Sequence, residues 1–208
     1  MKKVFVIGRS KGYARFIYDA VLVNNIEDAD IVILTGGEDI NPSLYKESAH
    51  PTTWFNTDRD EYELDALKDF NPSKQLLWGT CRGFQLIGAL AGGKLYQNVY
   101  NHAGRDHQVT FNTGEVLTTT SLHHQMVCAN SMSSEDCVVL GWSTDVLSHA
   151  HEGSGVAFNA GDIELEVAYF PKINALGCQG HPEMQNINHP FVVKMNELID
   201  HYLLKMSK

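Results

Sequence analysis

The sequence has no stretch approaching the roughly 20 apolar residues that span a bilayer. Its start, MKKVFVIG, carries two lysines, but the apolar run ends after five residues, short of the roughly 7–15 of a secretory h-region. A cytoplasmic location is the expectation. Cysteine is scarce, at 81, 128, 137 and 178 only, and no two form a CxxC pair, so a zinc ribbon or thioredoxin-type motif has no support. In a reducing compartment structural disulfides are not expected either. That leaves buried thiols, with room for one nucleophile among them. Positive charge is also short: 16 Lys and Arg against 25 Asp and Glu give a formal charge of −9. Such a chain repels phosphate backbones and anionic headgroups, so neither nucleic acid nor a membrane is the expected partner. The acidity also serves plain solubility. Gly8 and Gly12 do not complete a GxGxxG, which leaves a dinucleotide site unsupported. Internal repeats, low-complexity tracts and interdomain linkers are absent.

What is present is an ordinary globular composition. The 208 residues are 43% hydrophobic and 20% charged, enough apolar material for one domain with a sizeable core. Residues 3–7 and 30–34 are short β-branched apolar runs closed by glycine, the pattern of strands buried on both faces. Residues 13–24 have helix-like apolar spacing. Residues 57–70 make a stronger helix, with acidic residues in the first turn and Asn71-Pro72 as its stop. Residues 74–78 read as a third buried strand, and 82–90 as a helix that follows almost at once. In the second half, 108–111, 116–119, 138–142, 156–158, 163–170 and 175–179 read as strands. Residues 143–155 read as loop and 191–204 as a closing amphipathic helix. The alternation predicts an α/β fold, a three-layer sandwich around a mostly parallel sheet.

The sharpest feature is Leu76-Leu77-Trp78-Gly79-Thr80-Cys81-Arg82-Gly83-Phe84-Gln85. A strand meets a helix here with no room for a loop, and Cys81 sits at the corner between Gly79 and Gly83. This is the nucleophile-elbow arrangement with cysteine in place of serine. A helix N-terminus favours the thiolate, and the Arg82 N–H points where an oxyanion would form. GxCxG alone reads equally well as a buried cysteine between two glycines.

A cysteine nucleophile needs a base, and the base needs an orienter. Gln179-Gly180-His181-Pro182-Glu183 follows the strand at 175–179. If strand geometry runs through it, His181 and Glu183 project to the same side. A carboxylate there would stabilise the imidazolium and fix its tautomer. Taken alone this is also a polar strand end with an incidental histidine. Thr35-Gly36-Gly37-Glu38-Asp39 ends the second strand at the same sheet edge as Cys81. Its glycine pair can turn a backbone N–H toward a reacting carbonyl.

Together these residues resemble the class I glutamine amidotransferase superfamily, most of all its γ-glutamyl-γ-aminobutyrate hydrolase-like (γ-glutamyl hydrolase peptidase) branch. The resemblance runs from Thr35 to Glu183. It rests on Gly36-Gly37-Glu38-Asp39-Ile40-Asn41-Pro42-Ser43-Leu44-Tyr45, on Arg59-Asp60-Glu61-Tyr62-Glu63, and on Cys81-Arg82-Gly83-Phe84-Gln85 with Gly92-Gly93-Lys94-Leu95-Tyr96-Gln97. Ser121-Leu122-His123-His124-Gln125 and His181-Pro182-Glu183 complete it. The resemblance implies a flavodoxin-like fold, with Cys81 as nucleophile, His181 as general base and acid, and Glu183 as orienter. It implies backbone donors from Gly37 and Arg82 in the oxyanion hole, and Gln85, Ser121, Leu122 and His123 at the glutamyl end of the substrate. Thr80 and Gly180 depart from the branch, which is usually larger and apolar at the first and often aromatic at the second. Both flank the reacting residues and bear on the leaving-group pocket.

Ten histidines invite a metal reading, above all His102, His107, His149 and His151. No carboxylate or cysteine visibly completes a ligand set, so neither a metal nor an organic cofactor is expected. His123 and His124 would face opposite sides of an extended strand, one lining the pocket and the other structural. Cys128, Cys137 and Cys178 read as packing residues. The expected function is hydrolysis of a γ-glutamyl amide, glutamine or a γ-glutamyl amine, through a thioester. The alternatives are a glutaminase subunit that delivers ammonia to a separate synthase partner, and a non-catalytic regulatory protein on the same fold.

Overall fold

The computed structural model describes residues 1–8 and 10–206. Its centre is a nine-stranded mixed sheet. In chain order the strands are β1 (Lys2–Ile7), β2 (Ala20–Leu22), β3 (Ile31–Leu34), β4 (Leu76–Thr80), β5 (His107–Phe111), β6 (Val116–Thr119), β7 (Val138–Ser143), β8 (Leu165–Phe170) and β9 (Ala175–Cys178). Their spatial order is β2-β1-β3-β4-β9-β8-β7-β5-β6. From β2 to β9 every pairing is parallel, and from β9 to β6 every pairing is antiparallel.

Burial follows that division. All residues of β3, β4 and β9 are buried, because layers cover both faces of the parallel half. Alternate side chains feed two separate cores. Ile31, Ile33, Leu76, Trp78 and Leu176 pack on one face with Phe191, Val192, Met195 and Ile199 of α3 (Pro190–Met206). Val32, Leu34, Leu77 and Ala175 pack on the other with Phe84, Leu86, Ile87 and Ala89 of α2 (Arg82–Leu90). Leu64 and Ala66 of α1 (Thr57–Ala66) join that second core. Each such side chain, fully buried, contributes about 1.5–3 kcal/mol relative to exposure. At β5 the pattern changes to alternating burial, as an antiparallel strand with one wetter face requires.

The helix expected over 13–24 does not form. A 3-10 helix, Lys11–Phe16, is capped by the Ser10 hydroxyl on Gly12 N–H at 3.2 Å. Asp19 then turns at φ 57 and Ala20–Leu22 pairs with β1 as an edge strand. The β-branched Val21 fits a strand better than a helix. The stretch at 156–158 is no strand either; Val156 and Phe158 cover a small cluster of Tyr96, Val99, Met126 and Cys128. Within the expected loop, His151–Glu152 pairs with Asn98–Val99. The helix expected over 57–70 ends as α-helix at Ala66, tightens to 3-10 at Leu67–Asp69, and stops before Asn71-Pro72. The strand expected over 74–78 starts at Leu76 and runs through Thr80 into Cys81.

Parallel β4 and β9 approach through paired glycines. A Cβ on Gly177 would lie 2.4 Å from the Gly79 carbonyl oxygen. That atom is backbone and cannot rotate away. Gly177→Ala is therefore expected to destabilise the fold by about 3 kcal/mol, the upper end of the overpacking range. Urea denaturation checks this; an unchanged midpoint would show that the two strands separate without penalty.

Candidate active site

The site lies where β3, β4 and β9, all parallel, deliver their carboxyl ends to one edge of the sheet. One residue, Cys81, separates β4 from α2, at φ 51 and ψ −108. Its N–H donates to the Cys178 carbonyl at 2.8 Å, and its own carbonyl accepts the first helical bond from Gln85 N–H at 3.0 Å. The flanking glycines are required by space. A Cβ on Gly79 would lie 2.6 Å from Gly83 C, and one on Gly83 would lie 2.2 Å from the Leu34 carbonyl oxygen.

His181 and Glu183 reach this corner from beyond β9, though not as an extended strand. The strand ends at Cys178, and Pro182 opens a 3-10 turn, Pro182–Met184. Proline is favoured at a first helical position, which explains the turn. The turn still places His181 Nδ1 2.7 Å from Glu183 Oε1. The opposite side of the ring meets the Cys81 sulfur. A Cβ on Gly36 would lie 3.0 Å from His181 Cε1 and 3.5 Å from Cys81 Cβ, so the Gly36-Gly37 turn closes over both. Burial alone would hold the His181 imidazole neutral, but hydrogen bonds to Cys81 and Glu183 outweigh it and raise its pKa to about 10.

Gly37 adopts φ 146, and the Arg59 guanidinium occupies the space beside it. Arg59 Nη2 donates to the Gly36 carbonyl at 2.9 Å and the Thr35 hydroxyl at 3.1 Å, while Nε donates to Glu63 at 2.9 Å. Arg82 heads α2, and its side chain turns fully inside. There it pairs with Asp60 at 2.5 Å and with Glu63. One carboxylate, Glu63, thus ties the oxyanion-side turn to the nucleophile helix.

Gln85 is buried, its Nε2 donating to the Gln125 carbonyl at 3.0 Å. The chain at 120–123 runs beside the histidine: the Thr120 carbonyl accepts from His181 N–H at 3.3 Å. Ser121 is buried with its hydroxyl on the His102 carbonyl, and Leu122 is half exposed. His123 is buried, Nδ1 against the Gln125 carbonyl at 3.0 Å, while His124 turns outward to Asp39 at 3.0 Å. Those two histidines do face opposite sides.

Several features correct the sequence reading. Thr80 is fully buried and accepts the Trp78 indole N–H at 2.9 Å, so it opens no pocket. Gly180 makes room for nothing else either, since a Cβ there would lie 2.1 Å from the Thr119 hydroxyl oxygen. The carboxylates missing from the histidine set exist, as Glu164 and Glu166, in and beside β8. His102, His107 and His151 meet them, whereas His149 lies on the surface against Tyr100. Tyr13 is missed by sequence reasoning, which places it in a helix. Burial and the nearby Glu183 and Cys81 charges push its phenol to about 12, and a Cβ on Gly36 would touch its hydroxyl at 2.9 Å. Arg15 is missed too; its Nε donates to the Glu183 carbonyl. No local signal marks either residue, because their partners lie far along the chain.

Burial pushes Cys128 and Cys137 up to about 12 and Cys178 well above an ordinary thiol. All three are buried and free.

The sequence profile of the peptidase C26 family matches residues 17–183. The chain belongs to that family. A glutamine amidotransferase-like protein of Lactococcus lactis, YvdE, is 26% identical over 162 residues, 77% of this chain and 68% of that protein. A Schizosaccharomyces pombe protein provisionally named a glutamine amidotransferase is 27% identical over 99% of this chain and 81% of its own. Among solved structures, a Thermoplasma acidophilum protein provisionally named as part of GMP synthase shares the fold. Its TM-score is 0.61 at 15% identity, over 99% of this chain and 94% of that one. This C26 member is a cysteine hydrolase of the class I glutamine amidotransferase type. Among the described residues no helix is long and apolar enough to cross a membrane.

Because the His181 pKa lies above that of an unfolded histidine, the stability its contacts add is complete below about 6.5 and lost as pH rises through about 10. Glu183→Gln removes one of the two raising partners. The imidazole resonance should then titrate at lower pH than in wild type, as NMR can measure; an unshifted titration would remove Glu183 from the pair.

Proposed function

We propose that this chain hydrolyses γ-glutamyl amide bonds, with Cys81 as nucleophile, His181 as acid and base, and Glu183 as orienter. The observation that carries the reading is the convergence of a cysteine at a one-residue strand–helix corner with a histidine–carboxylate pair. The Cys81 thiolate attacks the γ-carbonyl carbon, and the C–S bond forms as the carbonyl π electrons move to oxygen. Backbone N–H groups of Gly37 and Arg82 stabilise that oxyanion. Collapse breaks the C–N bond, and the His181 imidazolium gives its proton to the departing amine or ammonia. Neutral His181 then takes a proton from water, which attacks the thioester. Collapse of that adduct breaks the C–S bond, so glutamate leaves and the Cys81 thiolate and His181 imidazolium are restored. Gln85, one helical turn after Cys81, and the 121–123 stretch hold the glutamyl end. The exposed Leu122 side chain leaves its backbone as the group offered.

A second reading, delivery of ammonia to a synthase partner, draws support from relatives named as amidotransferases. The two separate on whether the isolated chain turns over. The space beside Thr80 and Gly180 is filled, so neither position adds support to this second reading. A non-catalytic regulatory protein would have no use for the three-residue convergence.

The test is steady-state glutamate release from glutamine and a panel of γ-glutamyl amines, with and without candidate synthases. Turnover of at least one substrate by the isolated chain is expected. Cys81→Ala should abolish it, and His181→Ala should lower it by about 10²–10⁴-fold. Glu183→Gln should cost less, since the base remains but is poorly held. Cys128→Ala, Cys137→Ala and Cys178→Ala should keep most activity if folded. A glutamine-like electrophile that labels a cysteine other than 81 would sink the mechanism. Turnover seen only with a synthase would favour the second reading.

A further inference from the structure

Away from the nucleophile, three imidazoles converge on one carboxylate. His107 Nε2 lies 3.0 Å from Glu166 Oε1, His102 Nδ1 3.4 Å from it and His123 Nε2 3.6 Å. All four side chains are nearly or fully buried. None of these four atoms makes an aligned hydrogen bond to any described residue. Buried polar groups rarely go unpaired, so four together ask for a common partner.

The outer contacts decide what that partner is. His123 Nδ1 lies against the Gln125 carbonyl, which can only accept, so Nδ1 carries the proton and Nε2 presents a lone pair. His102 stands between two carboxylates, Nε2 3.0 Å from Glu164 and Nδ1 3.4 Å from Glu166, so positive charge is favoured on both sides of the ring. The His123 lone pair faces the Glu166 carboxylate, itself an acceptor. Acceptors aimed at one another repel unless a cation stands between them. The His102 and His123 rings each have an acceptor on the far nitrogen, the usual outer arrangement of a metal-bound histidine. Metal–nitrogen distances of about 2.0–2.1 Å in a tetrahedron place neighbouring ligand atoms about 3.3–3.5 Å apart, close to the separations seen.

We propose that His102, His123 and Glu166, whose ligand atoms all lie within 4.8 Å of one another, form a buried zinc site. Two imidazoles and one carboxylate suit zinc better than magnesium or calcium, which prefer all-oxygen sets. All three ligands are buried, so the ion ties parts of the fold together. It joins the 102–107 segment and the 121–125 stretch to β8. The exposed turn at 103–106 provides the way in.

The test uses the full chain, stripped with a chelator and reloaded with Zn²⁺, or with Co²⁺ as a coloured substitute. About one metal per chain is expected, with the intense visible absorption of tetrahedral cobalt and a higher Tm in zinc. Cys81→Ser should leave all three unchanged, which separates this site from any metal held at the nucleophile. Glu166→Gln should abolish binding. Glu164→Gln, which removes only an outer partner, should weaken it by about 10- to 100-fold, and it carries the test if the first variant does not fold. No stoichiometric metal, or a cobalt band that disappears with Cys81 and survives Glu166→Gln, would overturn the proposal.

Discussion

The rest of the site depends on a corner one residue wide. Thr80 is the last residue of β4 and Arg82 the first of α2, so Cys81 must absorb the whole change of direction at φ 51. Such a conformation costs of the order of 1–3 kcal/mol for a residue with a Cβ, and it persists only where its surroundings over-determine it. Here they do. Gly79, Gly83 and Gly177 let three backbones approach closer than any side chain would allow, and the Cys178 carbonyl receives the Cys81 N–H. The strained corner leaves the sulfur at a helix N-terminus, beside the strand that carries His181.

The corner is held from outside by ions rather than by grease. α1 is a poor amphipathic helix because its inward positions are Asp60 and Glu63. Those two carboxylates receive the buried Arg82 side chain, and Glu63 also receives Arg59, whose Nη2 grips the Gly36 carbonyl and Thr35. A hydrophobic replacement could match the burial energy, since buried ion pairs gain little net stability. It could not fix direction. The fork of Arg59 sets where the Gly36-Gly37 backbone points, and Arg82 locks the first turn of α2 against rotation. Removing one member would leave charge buried and unpaired, so the network holds together or fails together.

How much of this is legible in the sequence follows from how far apart the partners lie along it. Cys81 with its glycines, and His181 with Glu183, are local patterns, and the sheet edge they share follows from strands that read clearly. The turn that joins His181 to Glu183 reads as strand because Pro182 permits both geometries locally. Residues 13–24 carry a helical period, yet an edge of β1 is free and Ala20–Leu22 takes it. Thr80 and Gly180 look like openings because a small residue suggests space; only the positions of Trp78 and Thr119 show that the space is filled. Apart from the i,i+4 pair Arg59–Glu63, the ion network spans 19 to 24 residues and the histidine–glutamate cluster up to 64, distances over which no spacing rule operates.

Neighbouring strands β8 and β9 thus present the same two side-chain types to different ends. After β9, one histidine meets one carboxylate, its other face turned to sulfur, and the pair gains from holding a proton. Around β8, Glu166 meets three histidines; His123 commits its proton to Gln125, and His102 stands between Glu164 and Glu166. The first arrangement has a mobile proton and one acceptor to share it with. The second turns the bare Nε2 lone pair of His123 toward a carboxylate. Imidazole and carboxylate are therefore not in themselves a sign of acid–base work; the tautomers imposed by the outer contacts decide whether the centre passes a proton or calls for a cation.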